Sequence, residues 1–557
     1  MARTPDVHRP EAAPTVIGRP RSTRPGLRHI GVLFVGTTVA DRLAYAGFLM
    51  VLAWGLGVSG DADLFFVVTS LPMTLAGLLA DVCFAVITRA MAGAHDDAER
   101  WALAGRALRV FALLYGVPAL AIALAAAPLV TVLAPGLSPA LVAHAGLLQA
   151  WAALLLPGYG LATVAGTILM ASGHVAAGAI RAPLVSLTTV VAAVLASLIL
   201  GPSVEGLLAV SIVAPVLVAA GLFRQVMRCK GRHALDLLGR GSLGDDRTVI
   251  RAALLATCPN LTQAAVLLIE RAIGSTLGSG AVTVLAIGRT IAPLVGAVPA
   301  AVGNAGFLDA LSKRPSKPHE VCPQNAGLSK PLEVCAHRDP KQACLAPAVA
   351  DPTASSRLIL YASLLTAIPI AVIMFGETST VMTLFFQRGR FGPEDTLLVS
   401  QVALAFGVGW LHFVLGGSLQ RVCQLVRLDG AYALLCLTGL VVYGPTALTL
   451  TAWLGLPGLA LSYGMTMTLI AVAAAALAAG RLGWCLLRLP YGRLALIAVI
   501  GTLVLVAVRP ELALLPGTLC RLAAAGILSV LTVVATAWLV DLPGVRPAWR
   551  RLAERSA

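Results

Sequence analysis

A small set of ionisable residues lies within segments of the chain that are otherwise apolar. They are Asp41, Arg42, Asp63, Asp81, Glu270, Arg271 and Arg289. A charged side chain within hydrocarbon is costly unless it faces a cavity or finds a partner, so each is a candidate functional residue. We expect Arg42 and Arg289 to line a cavity, because a guanidinium group binds phosphate in fork geometry.

The same residues have structural interpretations that remain open. Asp41–Arg42 and Glu270–Arg271 are also candidates for interhelical ion pairs, since neighbouring residues on a helix point in different directions and do not neutralise each other. Asp63 is expected to cap the start of its own helix. Pro72 and Pro293 are predicted to kink the second helix of each half of the chain.

Other chemistries lack their sequence patterns. The sequence has no GxxxxGK[ST], HExxH or GxSxG motif, so we predict neither ATP hydrolysis nor another enzymatic activity, and no cofactor. The segment 311–357 holds three Cys and two His without CxxC or HxxxH spacing, and it holds seven Pro. It is therefore predicted to be a cytoplasmic linker without a metal site.

Composition places these residues in a membrane protein. Of the 557 residues, 58% are hydrophobic and only 12% charged, and the mean hydropathy is +0.87. A soluble chain has about 25% charged residues, so this composition excludes a soluble enzyme. The low aromatic fraction of 5% argues against an outer-membrane barrel. We predict an all-α polytopic membrane protein.

About fourteen apolar runs are long enough to cross the membrane as helices. The predicted spans are 31–56, 63–88, 108–134, 141–171, 177–200, 204–223, 252–276, 281–310, 358–385, 396–420, 430–453, 456–480, 494–508 and 517–540.

The basic residues predict the orientation of these spans. With fourteen spans, 34 of the 41 Lys and Arg residues fall on the side that carries both termini. Positive residues remain cytoplasmic, so both termini are predicted to lie inside the cell. The net charge of +15 is then a topogenic signal with contacts to anionic lipids, and nucleic-acid binding is not expected.

The chain divides into two similar halves followed by two additional helices. The predicted lobes of six helices are 29–230 and 231–480, the additional helices occupy 481–545, and the cytoplasmic tails are 1–28 and 546–557. Each half opens with a Gly/Ser turn, LGVSG at 56–60 and LGSG at 277–280, followed by Pro72 or Pro293. Since six is even, the halves are predicted to be parallel repeats.

Four short motifs in this order resemble a known family of transporters. They are DADLFFVVTSLP at 61–72, LMASGH at 169–174, FFQRGRF at 385–391 with Asp395-Thr396, and GLPGLA at 455–460. The chain is similar over about residues 30–545 to the lipid II flippases (MurJ/MviN family) of the multidrug/oligosaccharidyl-lipid/polysaccharide exporter superfamily.

The resemblance implies two six-helix lobes around a V-shaped cavity, with helices thirteen and fourteen forming a groove for a polyprenyl tail. It implies alternating-access transport of an undecaprenyl-pyrophosphate-linked peptidoglycan precursor across the bacterial cytoplasmic membrane. Arg42 and Arg289 fall on the positions of arginines that line the family's cavity. The expected partners are the lipid-linked glycan, membrane lipids and proteins of cell-wall synthesis.

The chain departs from the family pattern at two pairs of positions. It has Phe48-Leu49 where family members carry a second Arg and an acidic residue, and Ala76-Gly77 where they carry a basic pair. Two alternatives are therefore considered. The first is a cation-coupled exporter of another lipid-linked glycan or a small amphiphile, with Asp41, Asp81 or Glu270 binding the coupling ion. The second is a non-transporting membrane scaffold.

Overall fold

The structure is a computed structural model that describes residues 27–92, 94, 96–231, 235, 246–290, 296, 352–426, 428–487, 489–515 and 517–540. Pro293, most of the tails and most of the 311–357 segment lie outside these ranges. All regular elements in the described ranges are helical, and the predicted all-α class is confirmed. The first ten helices are α1 (Leu27–Leu56), α2 (Gly60–Ala92), α3 (Asp97–Leu124), α4 (Ala126–Leu133), α5 (Pro139–Ala152), α6 (Leu155–Ala171), α7 (Val175–Ala179), α8 (Arg181–Leu200), α9 (Val204–Cys229) and α10 (Asp246–Ser275). They are followed by α11 (Ala281–Thr290), α12 (Pro352–Gly376), α13 (Thr378–Phe385), α14 (Pro393–Gly407), α15 (Trp410–Leu425), α16 (Asp429–Leu454), α17 (Leu456–Leu482), a 3-10 turn (Trp484–Leu487), α18 (Tyr491–Ala513) and α19 (Thr518–Leu539).

The described helices support a multi-pass membrane protein, although the predicted number of fourteen spans is not confirmed. Within the described ranges, eleven segments are long and apolar enough to cross a membrane, and the pair α14–α15, bent by 44°, makes twelve. The two predicted spans that do not qualify are 252–276 and 281–310. Helix α10 has the necessary length but carries charged residues, and α11 is described only as far as Thr290.

Large apolar side chains point away from the protein on many of these helices. Leu200 is 79% exposed and Trp453 is 81% exposed. Exposed apolar surface on this scale is typical of helices that face lipid. The structure therefore agrees with the membrane assignment made from composition.

The first nine helices pack into an N-terminal lobe. Helix α6 lies at its centre, against α2, α3 and α9, while α1 packs on α8. The buried rings of Phe111 and Tyr115 fill the space between α3 and α6. Since α6 is surrounded by other helices, α1 and α2 are left to face the second lobe.

Helices α10 to α17 form a C-terminal lobe. Helix α17 packs against α14, α15 and α16, and α10 packs on α16. The last two helices, α18 and α19, pack against each other and against α12. Helix α10 also packs against α2 of the N-terminal lobe.

The two lobes contact each other closely on one face of the molecule. This face carries the loops 57–59, 134–138, 276–280 and 386–392, and we name it the outer face after the predicted topology. The backbone N–H of Arg390 donates to the carbonyl of Trp54 (3.1 Å), and the N–H of Gly136 donates to Ser275 Oγ (3.2 Å). A Cβ atom at Gly136 would lie only 2.0 Å from the Ser275 carbonyl oxygen. Glycine at this position therefore allows the lobes to close on the outer face.

Candidate functional site

A cavity of about 670 Å³ lies between the lobes, and we name it the arginine cavity. Helix α1 supplies part of its wall from the N-terminal lobe, and α10 and α11 supply the rest. The lining residues are Arg42, Tyr45, Leu267, Arg271, Ala286, Arg289 and Thr290. The structure thus brings together three arginines that are far apart in the sequence, and this lining contains no carboxylate.

Arg42 extends from α1 into the arginine cavity. Its side chain is exposed, and it forms no hydrogen bond or ion pair with the described part of the chain. Its neighbour Asp41 points elsewhere, since its carboxylate accepts a hydrogen bond from Ser186 Oγ on α8 at 2.7 Å. The two residues therefore do not form an intrahelical pair, and Arg42 is available to bind an anion.

Arg289 is held by an ion pair within the C-terminal lobe. Its Nη1 atom donates to Glu270 Oε2 at 2.6 Å, and the two side chains are 16% and 1% exposed, respectively. The guanidinium carbon also lies 4.3 Å from the centre of the Tyr463 ring. Glu270 on α10 therefore pairs with Arg289 on α11, and this contact joins two consecutive helices.

Arg271 is the most deeply buried of the three arginines. It is 6% exposed, and its Nη1 atom donates to the carbonyl of Val282 at 2.8 Å. The guanidinium lies 5.4 Å from the ring centre of Phe66 on α2, and Nε has no hydrogen-bond partner among the described residues. This cation–π contact links Arg271 to the opposite lobe.

Asp63 caps a helix, but in the opposite lobe from the one expected. Its carboxylate accepts hydrogen bonds from the backbone N–H groups of Gly280 (2.6 Å) and Thr283 (2.7 Å), and from Thr283 Oγ1 (2.7 Å). The first turn of its own helix is capped instead by Ser59, whose Oγ accepts from the N–H of Ala62. Because the α2 carboxylate satisfies the free donors of α11, it couples the lobes on the outer face.

Asp81 makes a second contact between the lobes, further along α2. Its carboxylate accepts a hydrogen bond from the amide of Asn260 on α10. Pro72 lies in the interior of α2 between the two coupling residues, Asp63 and Asp81. Helix α2 is therefore joined to the C-terminal lobe on both sides of its proline.

A second pocket, which we name the aromatic pocket, adjoins the arginine cavity at Tyr45. Its volume is about 520 Å³. It is lined by Tyr45, Phe48, Phe65, Phe66, Thr69, Met73, Leu155, Tyr159, Ser186, Thr189 and Ser211. The sequence interpretation missed this pocket because it followed charged residues alone. The aromatic residues in the first two spans were the available signal.

Phe48 and Leu49, at positions where the family pattern has charged residues, lie in the interior of the N-terminal lobe. Phe48 is 5% exposed and Leu49 is fully buried, and the rings of Phe48 and Phe65 lie 5.6 Å apart. These positions belong to the packed interior of the N-terminal lobe and its aromatic pocket. At Phe48 the aromatic pocket therefore has a ring in place of a charged side chain.

No metal site accompanies the cavity in the described ranges. These residues contain no group of three or more His, Cys, Asp or Glu side chains that could hold a metal ion. The Cys and His residues of the 311–357 segment lie outside the described residues. The chemistry available to the cavity is thus that of guanidinium groups, aromatic rings and hydroxyls.

Comparison of the sequence with protein families identifies the region that forms most of this site. Residues 52–301 match the family model described as lipid II flippase MurJ. Over this segment the chain is similar to the MurJ family. The segment includes Asp63, Asp81, Glu270, Arg271 and Arg289 but begins after Arg42. The resemblance to MurJ that the sequence motifs indicated is therefore confirmed.

Solved structures share the fold of most of the chain. A structure titled "Lipid II flippase MurJ, inward closed conformation" has a TM-score of 0.69 at 12% identity, covering 91% of this chain and 98% of that one. An inward-facing multidrug resistance MATE family transporter of the MOP superfamily has a TM-score of 0.58 at 14% identity, covering 81% and 98%. A MOP superfamily transporter from Pyrococcus furiosus has a TM-score of 0.53 at 13% identity, covering 82% and 96%. The comparison with curated proteins gives no match.

Proposed function

We propose that this protein moves a polyprenyl-pyrophosphate-linked peptidoglycan precursor, similar to lipid II, across the cytoplasmic membrane. The observation that carries the proposal is the arginine cavity, where Arg42, Arg271 and Arg289 line a space between two lobes. A pyrophosphate diester carries two negative charges and many acceptor oxygens, which guanidinium groups bind in fork geometry.

The closed outer face supports an alternating-access mechanism. With the lobes in contact around Asp63 and Gly136, the head group would enter the cavity from the opposite side of the membrane. Separation of the lobes on the outer face and their approach on the inner face would then release it outside. The polyprenyl chain would remain in lipid throughout, since its transfer into a polar cavity is unfavourable.

The proposal includes the location and partners of the protein. We place both termini in the cytoplasm of a bacterial cell, in agreement with the distribution of Lys and Arg. The substrate is made on the cytoplasmic side and used outside, so enzymes of cell-wall synthesis are the expected neighbours. The protein acts as a transporter and needs no catalytic residue for this role.

The charge of the cavity bears on the alternative of a cation-coupled exporter of another lipid-linked glycan or a small amphiphile, because it favours an anionic cargo over a cationic one. A lining with three guanidinium groups and no carboxylate repels cations and attracts anions. The scaffold alternative depends on segments 1–28 and 311–357, which lie almost entirely outside the described residues. We therefore retain the lipid-linked anion as the substrate.

Transport of labelled lipid II tests the proposal. In a strain depleted of its own flippase, expression of this protein is expected to restore the appearance of labelled lipid II in the outer leaflet. Arg42→Ala should abolish this transport because it removes a cation that no other described residue replaces. Arg228→Ala, near the inner end of α9, removes a cation outside the cavity lining and serves as the control. Full transport by Arg42→Ala, or none by the wild type, would contradict the proposal.

A further inference from the structure

Arg289 already has an anionic partner in the structure. Glu270 Oε2 accepts its Nη1 hydrogen at 2.6 Å, and the Tyr463 ring lies 4.3 Å from the guanidinium carbon. The side chain of Arg289 is nonetheless 16% exposed and contributes to the wall of the arginine cavity. A phosphate that reached this guanidinium would therefore compete with a carboxylate for the same group.

The carboxylate of Glu270 is only partly satisfied by this pair. Glu270 is 1% exposed, and its second oxygen, Oε1, has no hydrogen-bond partner among the described residues. The buried hydroxyl of Tyr443, which interacts electrostatically with Glu270, also lacks a partner of good geometry. An unsatisfied buried polar atom is unfavourable because nothing compensates for the loss of its contacts with water. A small movement of the carboxylate towards Tyr443 would satisfy both atoms.

We propose that Glu270 is a substitute anion that occupies Arg289 in the empty cavity and is displaced by the pyrophosphate of the substrate. The inference rests on the proposed function and adds a residue that sets how strongly the anion is bound. The displaced carboxylate accepts a hydrogen bond from the Tyr443 hydroxyl, and Arg289 exchanges one anion for another. Arg289 is therefore paired in both the empty and the loaded protein.

This exchange makes Glu270 a release element. Competition by Glu270 weakens binding of the correct substrate. A flippase benefits from this weakening, since tight binding would delay release on the far side.

The chain contains a matched pair outside the cavity. Glu377, which is 7% exposed, lies 3.6 Å from Arg509, and neither residue lines the arginine cavity. Substitution of Glu377 by Gln therefore removes a buried carboxylate beside an arginine without changing the anion site. It controls for nonspecific effects of losing a buried negative charge.

Direct binding to purified full-length protein tests the inference. The probes are a polyprenyl pyrophosphate and the corresponding polyprenyl monophosphate, presented in lipid nanodiscs. Glu270→Gln is expected to bind the pyrophosphate about tenfold more tightly, which corresponds to removal of a competing interaction of about 1.4 kcal/mol. It should bind the monophosphate more tightly as well, whereas Glu377→Gln should bind both as the wild type does.

The outcomes separate this inference from the proposed function. If the wild type binds neither probe above a nanodisc control, the proposed function fails, and the inference fails with it. If the wild type binds the pyrophosphate and Glu270→Gln binds it equally or more weakly, only the inference is overturned. Glu270→Asp, which keeps the charge on a shorter side chain, provides a second variant if the Gln protein is unstable. Its expected affinity lies between those of wild type and Glu270→Gln, and an affinity at or below that of the wild type would overturn the inference.

Discussion

The three cavity arginines differ in how much the folded protein depends on them. Arg42 has no partner among the described residues, while Arg289 neutralises the buried carboxylate of Glu270. Loss of one member of a buried pair leaves the other charge uncompensated, which costs about 3–5 kcal/mol. The same functional group is therefore free on α1 and structurally required on α11.

This difference predicts that two alanine substitutions destabilise the protein to very different extents. Arg42→Ala should change the free energy of unfolding by no more than about 0.5 kcal/mol, as for an exposed residue. Arg289→Ala should lower it by several times this amount, and adding Glu270→Gln should recover much of the loss. Thermal unfolding in detergent measures each variant. Equal destabilisation by both substitutions would contradict the assigned roles of the two arginines.

Sequence reasoning located the charged residues of the site but not their partners. Arg42, Arg271 and Arg289 stand out because an ionisable residue within an apolar span is costly unless it has a partner or faces a cavity. The partner of Glu270 lies 19 residues away on the next helix, whereas the sequence indicated only that Glu270 and its neighbour Arg271 do not neutralise each other. Pairing of this kind depends on the relative rotation of two helices, which composition and spacing do not determine.

At the scale of single elements, α2 is the main connection between the lobes. Its carboxylate at Asp63 caps α11, and its carboxylate at Asp81 contacts Asn260 on α10. A helix cap contributes about 0.5–2 kcal/mol. In this protein that energy stabilises the closed outer face as well as the helix, because donor and acceptor belong to different lobes.

Substitution of Asp63 should therefore open the outer face. Asp63→Asn leaves one amide oxygen to serve the three donors that the carboxylate now satisfies. With Ala281→Cys in a Cys520→Ser background, we expect labelling by a membrane-impermeant maleimide to accelerate about tenfold in Asp63→Asn, which corresponds to about 1.4 kcal/mol. Ala281 is 4% exposed in the closed structure, so slow labelling is expected without the substitution.

Asp61→Asn is the matched control for this experiment. Asp61 lies in the same turn of α2 but is exposed to solvent. Its substitution changes the charge equally and should leave the labelling rate unchanged. Similar acceleration by both variants would mean that net charge near the outer face, rather than the cap, keeps the lobes together.

At the scale of the whole molecule, the lobes approach each other on the outer face through backbone groups. Gly136 contacts Ser275, and the Arg390 N–H binds the Trp54 carbonyl. Such contacts involve few side chains, so little rotamer entropy is lost each time they form. Transport by alternating access requires these contacts to separate in each cycle.

A cross-link across the outer face should stop the cycle. A Cβ atom at Gly60 would lie 3.2 Å from Ser279 Oγ, so Gly60→Cys/Ser279→Cys can form a disulfide between the lobes. Oxidation of this variant is expected to abolish transport of labelled lipid II, and a reductant should restore it. Binding of a polyprenyl pyrophosphate should persist in the oxidised protein, because the arginine cavity is intact in the closed form. The single-cysteine variants control for oxidation elsewhere. Undiminished transport by the cross-linked protein would exclude opening on this face.

The overall architecture was more accessible from the sequence than its exact number of spans. Long apolar runs and two similar halves predicted the helical transporter fold, which the described residues confirm. The segments that did not meet the span criteria are 252–276 and 281–310, which contain Glu270, Arg271 and Arg289. In α10 the charged residues Glu270 and Arg271 lower the apolar character of the helix, whereas the segment 281–310 is described only as far as Thr290.

The Glu270–Arg289 pair also has a consequence for the biogenesis of the protein. A translocon releases a helix into lipid according to its apolarity, and each charge near the centre of a helix opposes release by about 2.5–3.5 kcal/mol. Because the pair joins α10 to α11, the two helices can neutralise each other's charges as a hairpin before the C-terminal lobe is complete. Insertion of this hairpin should therefore be a cooperative event that a truncation after Ser275 would prevent.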